Sequence, residues 1–297
     1  MSSRTTTPPR VDPPAPRAAR RGFTLVELMV VVVVILVLAS LTLSGLAVAR
    51  QRARIARTKS TIRKLNEIVV PHYESYLRRR VPFASGTNAR TNALNRLVNV
   101  RTLTLREMPD NRDDVCVSGS AALNLATFLR TGPVLAYART RETGTTWQAT
   151  HESAECLYMI VSRGGLEPDV MEQFRSDEIG DADGDQCPEF LDAWNQPIIF
   201  LRWAPGFSSP LSPVQVANAT THHDPFDPQR VDAAGYALVP LIVSGGPDRR
   251  TGLQVTAAGW SGLSMNSIIG VASTIGAPVT GSTVHRDNIT NHDLNVK

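Results

Sequence analysis

The segment Asp181–Asp192, DADGDQCPEFLD, sets carboxylates at positions 1, 3, 5, 9 and 12 of a twelve-residue loop. Calcium takes six to eight hard oxygens, and an EF-hand loop draws its ligands from those same positions. Asp181, Asp183, Asp185, Glu189 and Asp192 are therefore the expected calcium ligands. The pattern departs from that loop in three ways. Glycine falls at position 4 rather than 6, Pro188 lies inside, and the last residue is Asp rather than Glu. A solvated acidic turn is the alternative. Another carboxylate poses a different question: Glu27 is the only charge between Phe23 and Ala49. A charged side chain in the middle of a bilayer costs about 2.5–3.5 kcal/mol on insertion scales, so one that is kept there marks function.

Other chemistry-bearing residues form weaker patterns. HESAE (151–155) begins like the HExxH motif of zinc proteases, but Glu155 stands where the second histidine belongs. His222-His223-Asp224 lies in a proline-containing loop, and His72 falls on an apolar helix seam where packing explains it. Neither a glycine-rich phosphate loop nor G-x-S-x-G is present, and nothing asks for catalysis. The chain is not expected to be an enzyme. Cys116, Cys156 and Cys187 permit one disulfide and one left-over thiol, or three buried small hydrophobes.

The elements that must position these residues can be read from periodicity. Phe23–Ala49 is apolar enough for a membrane helix, and at 1.5 Å per residue it spans about 40 Å, more than the roughly 30 Å of hydrocarbon. The helix is expected to continue, because Ile55, Thr58, Ile62, Leu65, Val69, His72 and Tyr76 alternate three- and four-residue steps as a seam. Pro71 should kink or end it nearby. Asn88–Met108, Ala121–Arg130 and Glu152–Arg163 read as further helices, the last stopped by Gly164-Gly165. WNQPIIFLRW (194–203) and YALVPLIVSGGPD (236–248) are the clearest strands. The expected fold class is α+β: a long N-terminal helix, half transmembrane and half packed, with a small antiparallel sheet and extra helices in the head. The expected divisions are 1–22, 23–49, 50–80 and 81–297.

The boundary Gly22-Phe23, preceded by Arg20-Arg21 and followed by TLVELMVVVVVIL, resembles the processing site of type IV pilins and pseudopilins. The resemblance implies a leader of residues 1–22 cut between Gly22 and Phe23 by a prepilin peptidase that also methylates the new amine. It further implies that Glu27 pairs with the Phe23 amine of a neighbouring subunit as N-terminal helices bundle. The partners it implies are copies of the chain, other pilin-like subunits, the prepilin peptidase/methylase and an inner-membrane assembly platform. The place it implies is the bacterial inner membrane, crossed once, with the head in the periplasm or on an extracellular fibre. The order of the two strands, ending in Ser-Gly-x-x-Asp, and the tail DNITNHDL resemble the head of the major type II secretion pseudopilin. That family binds calcium in the loop after its last strands, which would involve Asp248 and Asp287 here, although RRTGLQV stands where a glycine-rich acidic stretch belongs.

Charge narrows the alternatives. The leader holds five Arg and one Asp, and removing it leaves 26 basic and 26 acidic residues. Within that balance, Arg50–Arg106 carries 14 Lys/Arg against Glu67 and Glu74, and the remainder of the chain is acidic. The gradient suggests head-to-stem contacts between copies. A DNA-uptake pilin using the basic stretch is one alternative, with neutrality of the mature chain against it, and no nucleic-acid partner is expected. A signal-anchored periplasmic enzyme or binding domain is another. The positive-inside rule narrowly favours the orientation opposite to an exported head.

Overall fold

Helix α1 (Leu25–Ser75) starts where the sequence supplies a cap: the Thr24 hydroxyl oxygen accepts a hydrogen bond from the backbone N–H of Glu27 at 3.2 Å. This Thr-x-x-Glu spacing is that of a capping box, and it places the acid in the first turn, near the positive end of the helix dipole. The structure, a computed structural model, describes residues 22–115, 126–142, 151–166, 169–212, 222–232, 235, 237–255 and 274–294. The leader before Gly22, Cys116 and the first part of the helix expected over Ala121–Arg130 lie outside the described residues.

Contacts divide the chain into two compact units, residues 1–49 and 50–297. In the first, every described residue is exposed, from Gly22 through Ala49. This stretch is long and apolar enough to cross a membrane.

The second unit is an α+β head. The later part of α1 buries Thr58, Thr61, Ile62, Leu65, Val69 and Tyr73, close to the expected seam; Ile55 and His72 are only half-buried. Pro71 occupies an exposed position. The helix runs past it for one turn, then tightens into a 3₁₀ turn at Tyr76–Arg78. Helix α2 (Ala89–Glu107) is capped by Asn88, whose side chain accepts from the Thr91 N–H at 2.9 Å. Helix α3 (Gly132–Glu142) was not foreseen; it starts at Gly132-Pro133, where a missing N–H costs nothing. Near the expected second short helix, the described residues hold a 3₁₀ turn at Thr127–Leu129. Helix α4 (Glu152–Arg163) matches its expected limits, with Gly165 at φ +69° just beyond it.

Strands β1 (Ile179–Gly180) and β2 (Glu189–Phe190) form a short hairpin around the acidic loop. Strands β3 (Ile199–Leu201), β4 (Leu241–Ser244) and β5 (Ile289–Thr290) form an antiparallel sheet with β4 central, pairing Phe200 with Ile242 and Val243 with Thr290. The two strands read from sequence are thus neighbours, and the third comes from the C-terminal tail. Ile62, Leu65 and Val69 of α1 share one core with Leu157 and Ile160 of α4 and with Phe190, Phe200 and Ile242 of the strands.

Polar groups join these layers. Arg202 is fully buried between Asp114 (2.8 Å) and Asp110 (3.3 Å) and also donates to the Met108 carbonyl at 2.6 Å. Glu107 takes the Tyr76 hydroxyl at 2.6 Å and pairs with Arg79. Glu178 accepts from Thr61 at 2.6 Å and pairs with Lys64 at 2.8 Å. Part of the expected charge gradient is therefore spent inside one head: Arg57, Lys64, Arg79 and Arg101 each pair with an acid from farther along the same chain.

Candidate functional site

Among the described residues, two places carry chemistry. At the N terminus, Gly22 and Phe23 precede the helix, Phe23 is 79% exposed, and nothing lies within 4 Å of where a side chain on Gly22 would begin. The bond whose cleavage the resemblance implies thus lies in an exposed segment ahead of the helix. Glu27 follows on the first turn of α1, exposed and flanked by the exposed apolar side chains Val26, Leu28 and Met29. In one isolated chain this acid has a cap but no cationic partner among the described residues.

The second place is a pocket between the first turn of α4 and the β1–β2 loop. The loop is held by Asp181, whose carboxylate accepts from the N–H groups of Gly184 (2.7 Å), Asp185 (3.1 Å) and Gln186 (2.9 Å). Gly184 adopts φ +79°, which explains a glycine at the fourth position of this loop. The resulting turn brings Asp181, Asp183 and Asp185 together, each offering an oxygen within 4.8 Å of the others. Asp183 also belongs to a group with Glu189 and His151, and Asp185 to one with Glu155 and Cys187.

His151 Nδ1 lies 3.3 Å from Glu189 Oε1 and 3.5 Å from Asp183 Oδ2. Glu189 is completely buried; its other oxygen accepts from the Ala182 N–H at 2.9 Å. Glu155 is 1% exposed, and neither of its oxygens has a hydrogen-bond partner. Burial, followed by the nearby Asp185, Asp183, Glu189 and Glu152, pushes the Glu155 carboxyl up to about 9. Burial also dominates at Glu189, opposed by the Ala182 N–H and reinforced by Asp183, Asp181 and Asp185; that carboxyl is pushed up to about 7. The carboxylates gathered here repel one another, and a divalent cation would relieve them.

Residues 17–43 match the family model described as the prokaryotic N-terminal methylation motif. The N-terminal segment is pilin-like. That motif, with the long apolar helix that contains its second half, is consistent with the type IV pilin and pseudopilin families. No curated protein and no solved structure matches the chain.

The remaining expected site residues of this pilin-like chain sort clearly. Asp192 does not join the acidic pocket. Its Oδ1 accepts from the Trp194 and Gln196 N–H groups at 2.8 and 2.9 Å, and its Oδ2 from the Ser244 hydroxyl at 2.6 Å, so it holds a turn against β4. Asp248 and Asp287 do meet, with the Asp248 N–H 3.3 Å from Asp287 Oδ2, but no third metal-type ligand joins them among the described residues. Asp224 is taken by Arg101 at 2.5 Å, and His223 lies 3.2 Å from Asp227, so that histidine loop is part of the scaffold. Cys156 and Cys187 are not joined to each other; they share a small buried cluster with Val115, Tyr137 and Met159.

The residues expected from the loop did not include His151 and Glu155, which the structure brings beside it. Their signal was visible as HESAE: residues i and i+4 on a helix start share a face. What was absent was any local reason to connect that face with a loop some thirty residues later.

Proposed function

We propose that this pilin-like chain is a structural, non-catalytic subunit of a type II secretion pseudopilus or a type IV pilus. It is cut between Gly22 and Phe23, methylated on the new amine, and assembled through α1. The observation that carries this reading is the exposed apolar surface of residues 23–49, interrupted by one acid at the fifth position after the cut. A patch of that extent needs lipid or other chains around it.

The physics of assembly follows from the charges. Cleavage creates a cation on Phe23 beside the Glu27 anion. Within an apolar bundle each charge alone is costly, and each is satisfied only when Glu27 of one copy meets the amine of the next. The pair thus specifies register, while apolar side chains supply the cohesion. The prepilin peptidase/methylase and an inner-membrane platform are the partners this sequence of events requires. The head then sits in the periplasm or on the fibre surface.

The test is to purify the membrane form, determine its N terminus by mass spectrometry, and look for filaments by electron microscopy. The expected result is methylated Phe23 and filaments. An intact Met1 would instead make the chain an anchored periplasmic protein. Glu27→Leu should insert normally yet form almost no filaments, and wild-type fibre yield from that variant would remove the pairing mechanism.

A further inference from the structure

We infer that the pocket between α4 and the β1–β2 loop is a site for a divalent transition-metal ion of the zinc class. His151, Asp183 and Glu189 are its ligands, and Glu155 and Asp185 are adjoining oxygen donors. Three observations carry this, independently of the reading of the N terminus.

Geometry comes first. His151 Nδ1 stands 3.3 Å from Glu189 Oε1 and 3.5 Å from Asp183 Oδ2. Ligand atoms on a tetrahedral ion with bonds of about 2.0–2.1 Å are separated by about 3.3–3.4 Å. The spacing is that of two edges of such a polyhedron and is long for hydrogen bonds.

Burial comes second. Glu155 is 1% exposed, neither oxygen is hydrogen-bonded, and one oxygen lies within 4.8 Å of ligand atoms on Asp185 and Cys187. Glu189 is wholly buried with Oε1 turned to His151 and no hydrogen bond on that atom. A buried carboxylate left without a partner costs more than an exposed one, and these two acids belong to two ligand groups that share the 181–189 loop. Among the described residues, no Lys or Arg forms an ion pair with either. A bound cation answers that cost.

Donor chemistry comes third and separates the metals. Calcium draws almost wholly on oxygen, whereas imidazole suits zinc, copper, iron and nickel. A histidine among the ligands, with a thiol adjoining, moves the site away from the calcium reading of the loop alone. Asp181, with its carboxylate occupied by three N–H groups of its own loop, shapes the turn rather than coordinating. His151 also lines a surface cleft with Asp181, Ala182 and Gln196, which gives an ion a way in. Once bound, the metal would staple the β1–β2 hairpin to the start of α4.

The experiment uses the full-length chain in detergent, carrying a tag without histidine and stripped with a chelator. Titration calorimetry with zinc chloride should give one ion per chain, and the head's melting temperature should rise. His151→Ala and Glu189→Gln should each weaken zinc affinity by more than about tenfold, whereas His222→Ala should leave it unchanged. Glu155→Gln, nearly isosteric, should raise the melting temperature without metal and shrink the zinc-induced rise, which keeps the test decisive if His151→Ala folds poorly. Absence of saturable zinc binding would overturn the inference. So would zinc binding indifferent to Glu155→Gln and Glu189→Gln, or calcium binding tighter than zinc and unaffected by His151→Ala. Fibre formation is not a readout here, so failure of this site and failure of the fibre reading are distinguishable.

Discussion

The two parts of α1 share one backbone geometry and opposite surroundings. Residues 25–49 are exposed all round, whereas six residues between Thr58 and Tyr73 are buried in the head. The polar residues differ in the same way. Thr58, Thr61, Lys64 and Tyr73 each hydrogen-bond to a residue more than a hundred positions away, while Ser40, Thr42 and Ser44 bond only to carbonyls of their own helix. Among the described residues, residues 25–49 are all exposed and carry a near-continuous apolar surface. The comparison teaches that one helix meets two environments: its second half is a core element of the head, and its first presents an apolar surface long enough to cross a membrane.

That contrast can be broken most forcefully in the head. Arg202→Met removes the cation between Asp110 and Asp114 and leaves two buried acids facing each other. Loss of one member of a buried ionic cluster costs about 3–5 kcal/mol. Chemical denaturation of the detergent-solubilised chain should show that loss in the head transition, with partial recovery when Asp110→Asn and Asp114→Asn are added.

A paired measurement sharpens the comparison within α1. Leu65→Ala empties a fully buried position and should destabilise the head by about 2–4 kcal/mol. Leu36→Ala, an equal truncation on the exposed half, should leave head stability within about 0.5 kcal/mol while reducing filament yield. Equal effects of both on head unfolding would mean that the first half is also a core element.

The smallest expected effect is a pH dependence at the clasp between α1 and the segment before β1. Burial alone would raise the Glu178 carboxyl, but the Arg175 N–H, Lys64 and Thr61 outweigh it and hold it below its ordinary value of 4.5. The folded form therefore binds that proton less readily than the unfolded chain. Its contribution is complete above the ordinary carboxylate range and fades as the pH falls through and below it. Hydrogen bonds to a charged group are worth about 1.5–3 kcal/mol in all, so melting curves should show acid lability between roughly pH 5 and 3 that Glu178→Gln diminishes.

What could be read from the sequence was what neighbouring residues determine among themselves. Gly22-Phe23, Glu27 and the apolar run lie together in the sequence, and composition alone makes that helix fit for lipid. The seam over Ile55–Tyr76, α4 with its glycine stop, and β3 and β4 were legible because period and turn residues are local signals. Helix α3 escaped notice because its apolar periodicity is weak, and its role is to cover α4 rather than to carry a strong face of its own.

The acidic pocket lay on the other side of that limit. Spacing named five carboxylates, and the alternation within DADGD did bring Asp181, Asp183 and Asp185 to one turn. Only packing determined that Asp192 would turn away to Ser244 and that His151 and Glu155 would turn in. Those outcomes depend on β2 pairing with β1 and on α4 lying against β2, the latter a contact between residues some thirty positions apart whose formation no short window records. The sequence by itself settled the apolar helix and its lone acid, because those depend on local chemistry and solvent. The tertiary structure alone decided which charged groups meet, because burial in a shared core overrides the order in which they occur.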